Sequence, residues 1–397
     1  MRLLITPRYP PACCGVGDFT AQLAQTMREH GEGVLVLTEP ASGARPAGIP
    51  LLEVPMRGWQ NLRGVLRAIR SSGATHVQLE YSSYGWGRWG FSFAVNAMAL
   101  ALRLRGIPLT LGLHELYLPL TARPLELACG LIQRVHFALL LLAASEIETN
   151  TPQRVRRVQR WLPWRGHAVR FRPTPSNIPV APISPAQREQ LRRERGAGEK
   201  SFVVAMFGSF HPAKNYEAVI DAAIQLRPQL DLHLWLLGDQ PAGSNYVTGL
   251  RQRARPLGSG AFWLGHAPAA QISGWLQAAD VFVLPQSDGH LTRSGAFMAA
   301  AAHCLPVIAV RNDAEQRDFR HAENVWLAER SSAEAFAAAI QHLAAGPGLR
   351  SAMGHNLRRL YLSRFDWPHL YPPAGRQEIA SPMMPGPVPT PAVKSKG

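Results

Sequence analysis

The sequence has little that would staple, bind zinc or span a bilayer. Its four cysteines (Cys13, Cys14, Cys129, Cys304) show no Cys-x-x-Cys spacing and no histidine partners at zinc-ligand intervals. A disulfide framework and a zinc site are therefore excluded as organising features, and a reducing compartment fits. The longest uncharged apolar stretch, Val135 to Ala144, is about half of the roughly 20 residues a membrane helix needs. Met1 leads straight into Arg2-Leu-Leu-Ile-Thr6, too short an apolar run for a signal peptide. The expected localisation is cytoplasmic, peripheral at most to the inner face of the membrane. Acids are also scarce, 27 against 42 Lys and Arg, so the formal net charge is +15. That excess predicts attraction to polyanions: nucleic acid, anionic membrane or phosphorylated substrates. No nucleic-acid motif supports the first. No carboxylate pair stands at glycosidase-like placement, which disfavours hydrolysis through two acids.

Short apolar runs alternating with segments of helical period are abundant, the pattern of parallel sheets built from βαβ units. The first half predicts strands at 2–6, 34–38, 76–80, 109–113 and 146–150, with helices around 18–30, 61–71, 91–104 and 125–143. A proline-rich segment, Pro173 to Pro185, cannot be regular helix and reads as the linker. A second series follows, with strands at 202–207, 232–237, 261–264, 281–284 and 307–310 and helices near 216–226, 269–278, 295–302 and 333–344. At 397 residues the chain exceeds the ~250–300 at which single cores usually split. We expect an N-terminal domain over 1–175, a C-terminal domain over 190–367 and a disordered tail over 368–397, where eight prolines lie between Pro368 and Pro391.

Several elements carry polar chemistry. Cys14-Gly-Val-Gly-Asp-Phe-Thr20 precedes the first helix, where Gly15 and Gly17 let backbone amides approach a phosphate. The plain alternative is a glycine loop with Asp18 as helix N-cap. A dinucleotide fingerprint is disfavoured, because that motif follows its strand directly and here Thr20 replaces its third glycine. His114-Glu115 closes the fourth predicted strand, at the edge where open α/β sheets bind ligands. Lys214 sits between the first strand and first helix of the second series, where a cation can neutralise a diphosphate. Asp288, Arg293, Ser294 and Gly295 occupy a polar loop that runs into a helix start, a place to hold an anion. Between Thr151 and Arg172 lie seven arginines, Trp161, Trp164 and no acid, which suits an anionic membrane interface through 154–172 or a polyanionic acceptor. Tyr84 and Trp86, in an aromatic loop, are placed to stack on a sugar acceptor, although core aromatics have the same appearance.

The order and spacing of these landmarks, from Gly15-Val-Gly-Asp-Phe-Thr20 through His114-Glu115, Ser176-Asn-Ile-Pro179, Lys214 and Ala278-Ala-Asp-Val-Phe-Val-Leu-Pro285 to His303-Cys-Leu-Pro306, resemble the family 4 glycosyltransferases of GT-B fold. The family's second glutamate on this last loop falls at Ala299, its following glycine at Cys304, and its arginine just after Gly208 at Ser209. The pattern Asp288-Gly-x-x-x-Arg293-x-Gly295 instead resembles a bacterial subgroup with an Arg-bearing loop.

The resemblance implies an α/β protein with two Rossmann-like, doubly wound parallel-sheet domains facing a cleft. It also implies sugar transfer from a nucleotide-diphospho-sugar to a glycan or lipid-linked acceptor, with retention, without metal and with no cofactor beyond the nucleotide-sugar co-substrate. His114 would be catalytic; Gly15, Gly17, Lys214, Asp288, Arg293, Ser294 and Gly295 would bind the donor; Tyr84, Trp86 and Glu115 would lie on the acceptor side. The alternatives are a sugar-nucleotide epimerase or phosphorylase on the same fold, and a non-catalytic binder of sugar-nucleotide or polyanion, favoured by the missing glutamate.

Overall fold

The computed structural model describes residues 1–240, 243–313 and 317–373. Strands β1 (Arg2–Ile5), β2 (Val34–Thr38), β3 (Leu51–Glu53), β4 (His76–Tyr81), β5 (Leu109–Leu113), β6 (Glu146–Thr149) and β7 (Val169–Phe171) form one sheet in the order β3-β2-β1-β4-β5-β6-β7. Helices α1 (Gly15–Glu29), α2 (Leu62–Ser71), α3 (Ser83–Trp86), α4 (Phe93–Leu104), α5 (Pro124–Ala143) and α6 (Pro152–Trp161) connect them. A second sheet of β8 (Phe202–Phe207), β9 (Leu232–Leu237), β10 (Ala261–Leu264), β11 (Val281–Leu284), β12 (Val307–Val310) and β13 (Trp326–Ala328) runs β10-β9-β8-β11-β12-β13. Its helices are α7 (Pro185–Arg193), α8 (Tyr216–Leu226), α9 (Asn245–Arg253), α10 (Ala269–Ala278), α11 (Gly295–Ala302), α12 (Ala333–Ala345) and α13 (Pro347–Arg364).

Neighbouring strands are parallel throughout both sheets. The strand order reverses between β1 and β4 and again between β8 and β11. At such switch points the connecting loops diverge, leaving a crevice at the carboxyl ends of the strands. The three strands that the apolar pattern does not predict, β3, β7 and β13, are three-residue edge strands. Too short to show a period, they are held by one neighbour each.

After α13 the chain crosses back. A short helix, α14 (Trp367–Leu370), starts on the Asp366 side chain, which caps Trp367 N, with Pro368 in the first turn where no amide donor is needed. Trp367, Leu370 and Tyr371 join a buried cluster with Leu4, Tyr9, Phe19 and Leu23 of the first domain. Trp367 Nε1 donates to the Ser176 carbonyl at 2.6 Å. Arg172 donates to the Leu370 carbonyl and lies over the Tyr371 ring at 4.8 Å. The expectation of disorder from residue 368 is therefore corrected as far as Tyr371, because three large apolar side chains spaced over one turn outweigh the prolines around them. The rest of that tail, 374–397, lies outside the described residues.

Where α11 ends, Cys304 takes a left-handed backbone with φ 60°. Its carbonyl is so close to α13 that a Cβ on Gly354 would collide with it. A non-glycine residue in that region costs about 1–2 kcal/mol. Cys304→Gly should therefore raise stability by about 1 kcal/mol, read as a higher urea midpoint at unchanged slope; an unchanged or lower midpoint would show that the thiol's packing outweighs the strain.

Candidate functional site

The carboxyl ends of β4, β5 and β6 build one wall. Glu80, at the end of β4, is 1% exposed and accepts from Gln78 Nε2 at 2.7 Å. Its other oxygen, Oε2, lies 2.7 Å from His114 Nε2, just past the end of β5. A buried carboxylate on one ring nitrogen fixes the imidazole's orientation and favours a proton on that nitrogen. The ring also meets the edge of Phe19 at 4.9 Å, and Phe19 in turn packs on Trp367 at 5.2 Å. Glu148, Arg172 and Tyr371 line the same small recess as His114, so the returning C-terminal segment forms its back.

Arg154, on the first turn of α6, ties this wall together. It donates to the His114 carbonyl at 2.5 Å and to Asn150 Oδ1 at 2.7 Å. Asn150 Nδ2 reaches Thr174 Oγ1 at 3.3 Å, and Thr174 N donates to the Thr292 carbonyl at 2.9 Å, beside Arg293 of the second domain. Burial pulls the Arg154 guanidinium down to about 10, and the Arg293 charge adds to that.

The second wall starts at the end of β8. Gly208 (φ 133°) and Gly238 (φ 136°) touch backbone to backbone, so closely that a Cβ on Gly238 would collide with the Gly208 carbonyl. A Cβ on Gly208 would lie 2.5 Å from Lys214 Nζ, so only glycine lets this lysine fold down over the strand end. Asn215, left-handed at φ 47°, stops the single turn Pro212–Lys214 and anchors it to Ser331 Oγ at 2.7 Å. Among the described residues no carboxylate pairs with Lys214. Burial first, and the Arg293 charge second, pull its ammonium down to about 8.

Arg293 itself is ion-paired with Asp288. Asp288 Oδ1 also accepts from His290 N at 3.2 Å, and its carbonyl accepts from Asn312 Nδ2 at 2.7 Å. Arg293 thus lies within electrostatic reach of both Lys214 and Arg154, with Asp288 and Glu115 as the nearby acids, an arrangement that favours a multiply charged anion. Two polar atoms at the same edge, Gln240 Nε2 after β9 and Gln286 Oε1 after β11, are shut off from water without a partner among the described residues. Sequence reading passed over both, because a lone glutamine carries no pattern.

Other expected residues have different placements. Asp18 is not an N-cap: α1 starts at Gly15 with Cys14 as cap, and Asp18 lies in the first turn, its carboxyl pushed up to about 6 by burial against an opposing effect of His266. The two walls meet there, with Cys13 Sγ 3.2 Å from His266 Nδ1. Gly15 opens onto free space at the start of α1, whereas a Cβ on Gly17 would lie 2.5 Å from the Arg8 carbonyl. Gly17 is a packing glycine. Ser294 caps α11 by accepting from Phe297 N at 3.2 Å, and Gly295 begins that helix against Asn177. Glu115 is exposed and accepts from Ser82 Oγ at 2.8 Å.

Tyr84 is exposed, but Trp86 is 2% exposed inside the first domain's core and cannot stack on an acceptor. Of the seven arginines over 154–172, four turn inward: Arg154 as above, Arg165 to the Ala144 carbonyl, Arg170 to Glu146 and Arg172 to Glu148. That segment is therefore no continuous cationic face. Ala299 is fully buried, so no acid occupies the place of the missing glutamate. A separate surface recess of about 560 Å³ at the β13–α12 edge, lined by His321, Trp326 and His342, includes none of these residues.

Two parallel-sheet Rossmann-like domains with ligand-binding edges turned to one another make this a GT-B architecture. The chain superposes on sucrose-phosphate synthase from Thermosynechococcus elongatus with a TM-score of 0.72, at 20% identity, over 93% of this chain and 96% of that one. It superposes on Anabaena HepE in complex with UDP at 0.70 and 18% identity, with the same shares covered. The second sheet carries a glycosyltransferase group 1 domain: residues 201–345 match the family model described as "Glycosyl transferases group 1". By sequence, the chain is 28% identical over 170 residues to the lipopolysaccharide core biosynthesis glycosyltransferase LpsE of Rhizobium meliloti, covering 41% of this chain and 45% of that protein. It is 26% identical over 185 residues to a D-inositol 3-phosphate glycosyltransferase of Pseudarthrobacter chlorophenolicus, covering 45% and 43%. The aligned part of the chain spans less than half the length of these curated relatives.

The Glu80–His114 pair imposes a steric condition that can be checked. A Cβ on Gly112 would lie 2.5 Å from Glu80 Oε2. Gly112→Ala should displace the carboxylate and cost about 1–3 kcal/mol; a thermal melt within error of the wild type would mean the pair is not packed as described.

Proposed function

We propose that this chain is a glycosyltransferase that moves a sugar from a nucleotide-diphospho-sugar to a glycan or lipid-linked acceptor in bacterial polysaccharide or glycolipid assembly. The observation that carries the reading is Lys214, an ammonium drawn out of water beside Arg293 with no acid of its own. As the bond between the anomeric carbon and the diphosphate breaks, charge develops on the leaving oxygens, and preorganised cations at that point lower the barrier. Lys214 and Arg293 do from the second domain what a divalent cation does elsewhere, so no metal is required in this reading. Arg154 adds a third positive charge from the first domain and replaces the companion that Ser209 lacks. The α1 and α11 N-termini, at Gly15 and Gly295, offer backbone amides to the same anion.

His114, held by Glu80, faces the acceptor side with Glu115 and Tyr84 nearby in sequence and strand order. The acceptor hydroxyl attacks the anomeric carbon on the face from which the nucleoside diphosphate departs, which retains the configuration, and its proton passes to the departing phosphate oxygen. The unpartnered Gln240 Nε2 and Gln286 Oε1 suit the nucleoside. They compensate in part for the glutamate that Ala299 replaces.

Incubation with labelled UDP- and GDP-sugars, with and without a lipid acceptor, should yield labelled product. Epimerised donor without transfer would replace this reading by an epimerase. The charge on Lys214 sets a pH dependence. Its free-state value of about 8 means the ammonium is charged below that pH and lost above it. UDP affinity measured by calorimetry should then fall by about tenfold per pH unit above about 8. Lys214→Arg should flatten this limb and Lys214→Met should weaken UDP by about tenfold or more. Equal binding by Lys214→Met and wild type would place the diphosphate elsewhere.

A further inference from the structure

Helix α5 is apolar over most of its surface, yet only a third of it is buried. Its inner face, with Gly130, Gln133, Phe137, Leu140 and Leu141, packs under the first sheet. Its outer face presents Leu125, Leu131, Val135, Leu139 and Leu142 to solvent, and Leu100 and Leu104 of the adjoining α4 extend the exposed apolar surface. A long apolar helix face left exposed belongs against a partner or against lipid. An exposed apolar surface of this extent marks an interaction site.

The rim identifies the occupant. At the C-terminal end of α5, Arg103 donates to the Leu142 carbonyl, and the exposed Trp164 stands beside the inward-turned Arg165, which closes off the Ala144 and Ser145 carbonyls. Along the flank, Trp89 is half exposed with Arg88 over its ring at 5.3 Å, and its carbonyl is held by Gln133 of α5. Arg123 stands at the N-terminal end. Arg134, on the helix itself, folds back onto the Gly130 and Leu118 carbonyls and leaves the outer face uncharged. Residues 83–145 hold five arginines against two acids, Glu115 and Glu126, and Glu126 is taken up by Arg123 and Thr121. A second copy of the chain docked about a two-fold axis would press these arginine rims together. An apolar stripe bordered by guanidinium and indole groups matches the boundary between headgroups and acyl chains of an anionic bilayer.

We propose that the outer face of α5 and α4 docks this protein on an anionic membrane surface. The helix lies in the interface rather than crossing it, because its inner face is committed to the domain core. Docking does not rest on the transfer reaction. The loop from Glu115 to Arg123 joins the wall of His114 to the start of α5, so the site's acceptor side and the docking face share one connection.

The test is flotation of the full chain with vesicles of phosphatidylcholine alone, or with about one part phosphatidylglycerol to three parts phosphatidylcholine. The wild type should float with the anionic vesicles and much less with the neutral ones. Leu131→Ser/Val135→Ser/Leu139→Ser should reduce flotation by about tenfold or more. Arg103→Gln/Arg123→Gln should bring anionic binding down toward the neutral level. Circular dichroism and melting temperature verify the fold, with the single variant Val135→Asn as a milder probe should the triple variant unfold. Wild type remaining in the bottom fraction with both vesicle types overturns the proposal. So does a folded variant that floats as well as wild type, or a dimer in sedimentation that the same substitutions dissolve. Flotation involves no sugar-nucleotide, so its outcome is independent of whether transfer occurs.

Discussion

An ammonium drawn out of water next to a guanidinium, with no acid of its own, is the constraint around which the site is arranged. Isolated, it is unfavourable: burial and a like charge both act against the charged form of Lys214. The backbone nevertheless enforces it. Gly208 and Gly238 lack the side chains that would fill the space, and Asn215 adopts a left-handed turn that points the lysine back over the end of β8. Asp288 is committed to Arg293 and to the backbone of its own loop. The strain is electrostatic, and in the proposed reading a diphosphate relieves it. In the same proposed reading, Arg154 brings from the opposite wall the positive charge that Ser209 does not supply.

The two walls are joined at more than the linker. Thr174 and Thr292 share a backbone hydrogen bond, Cys13 meets His266, and Trp367 anchors on Ser176 while its ring fills the first domain. The recess at His114 is therefore made from distant parts of the chain: Phe19 and Glu80 near the start, Glu148 and Arg172 before the linker, and Tyr371 after the whole second domain. The placement of His114 thus depends on the return of the C-terminal segment.

Much of this architecture is legible in the sequence, for identifiable reasons. The buried strands of both sheets have apolar runs that only a parallel, doubly covered sheet explains, and their observed limits fall within a residue of those expected. Helices α8, α10 and α11 likewise follow directly from their patterns. What escapes is what depends on distance in space. Glu80 reads as the last residue of an apolar strand, and nothing local says its carboxylate will meet a histidine 34 positions later. Trp86 and Tyr84 look alike in sequence, and only packing separates core from surface. The arginines of 154–172 look like one patch, but helix and edge-strand geometry turn Arg154, Arg165, Arg170 and Arg172 inward to partners contributed by other segments. Proline content around Pro368 suggests disorder, but a single turn with three large apolar residues docks there.

The double-sided helix α5 has a kinetic consequence. One face completes a core and the other is poorly matched to water, so docking as proposed would place the molecule where water ends. A protein held at such a boundary explores a plane instead of a volume. For a lipid-linked acceptor confined to the same plane, encounter then depends on lateral diffusion and surface density, and its dilution in the surrounding volume ceases to matter. With the donor taken up from solution at Lys214, as proposed, the two substrates would reach one cleft from spaces of different dimension.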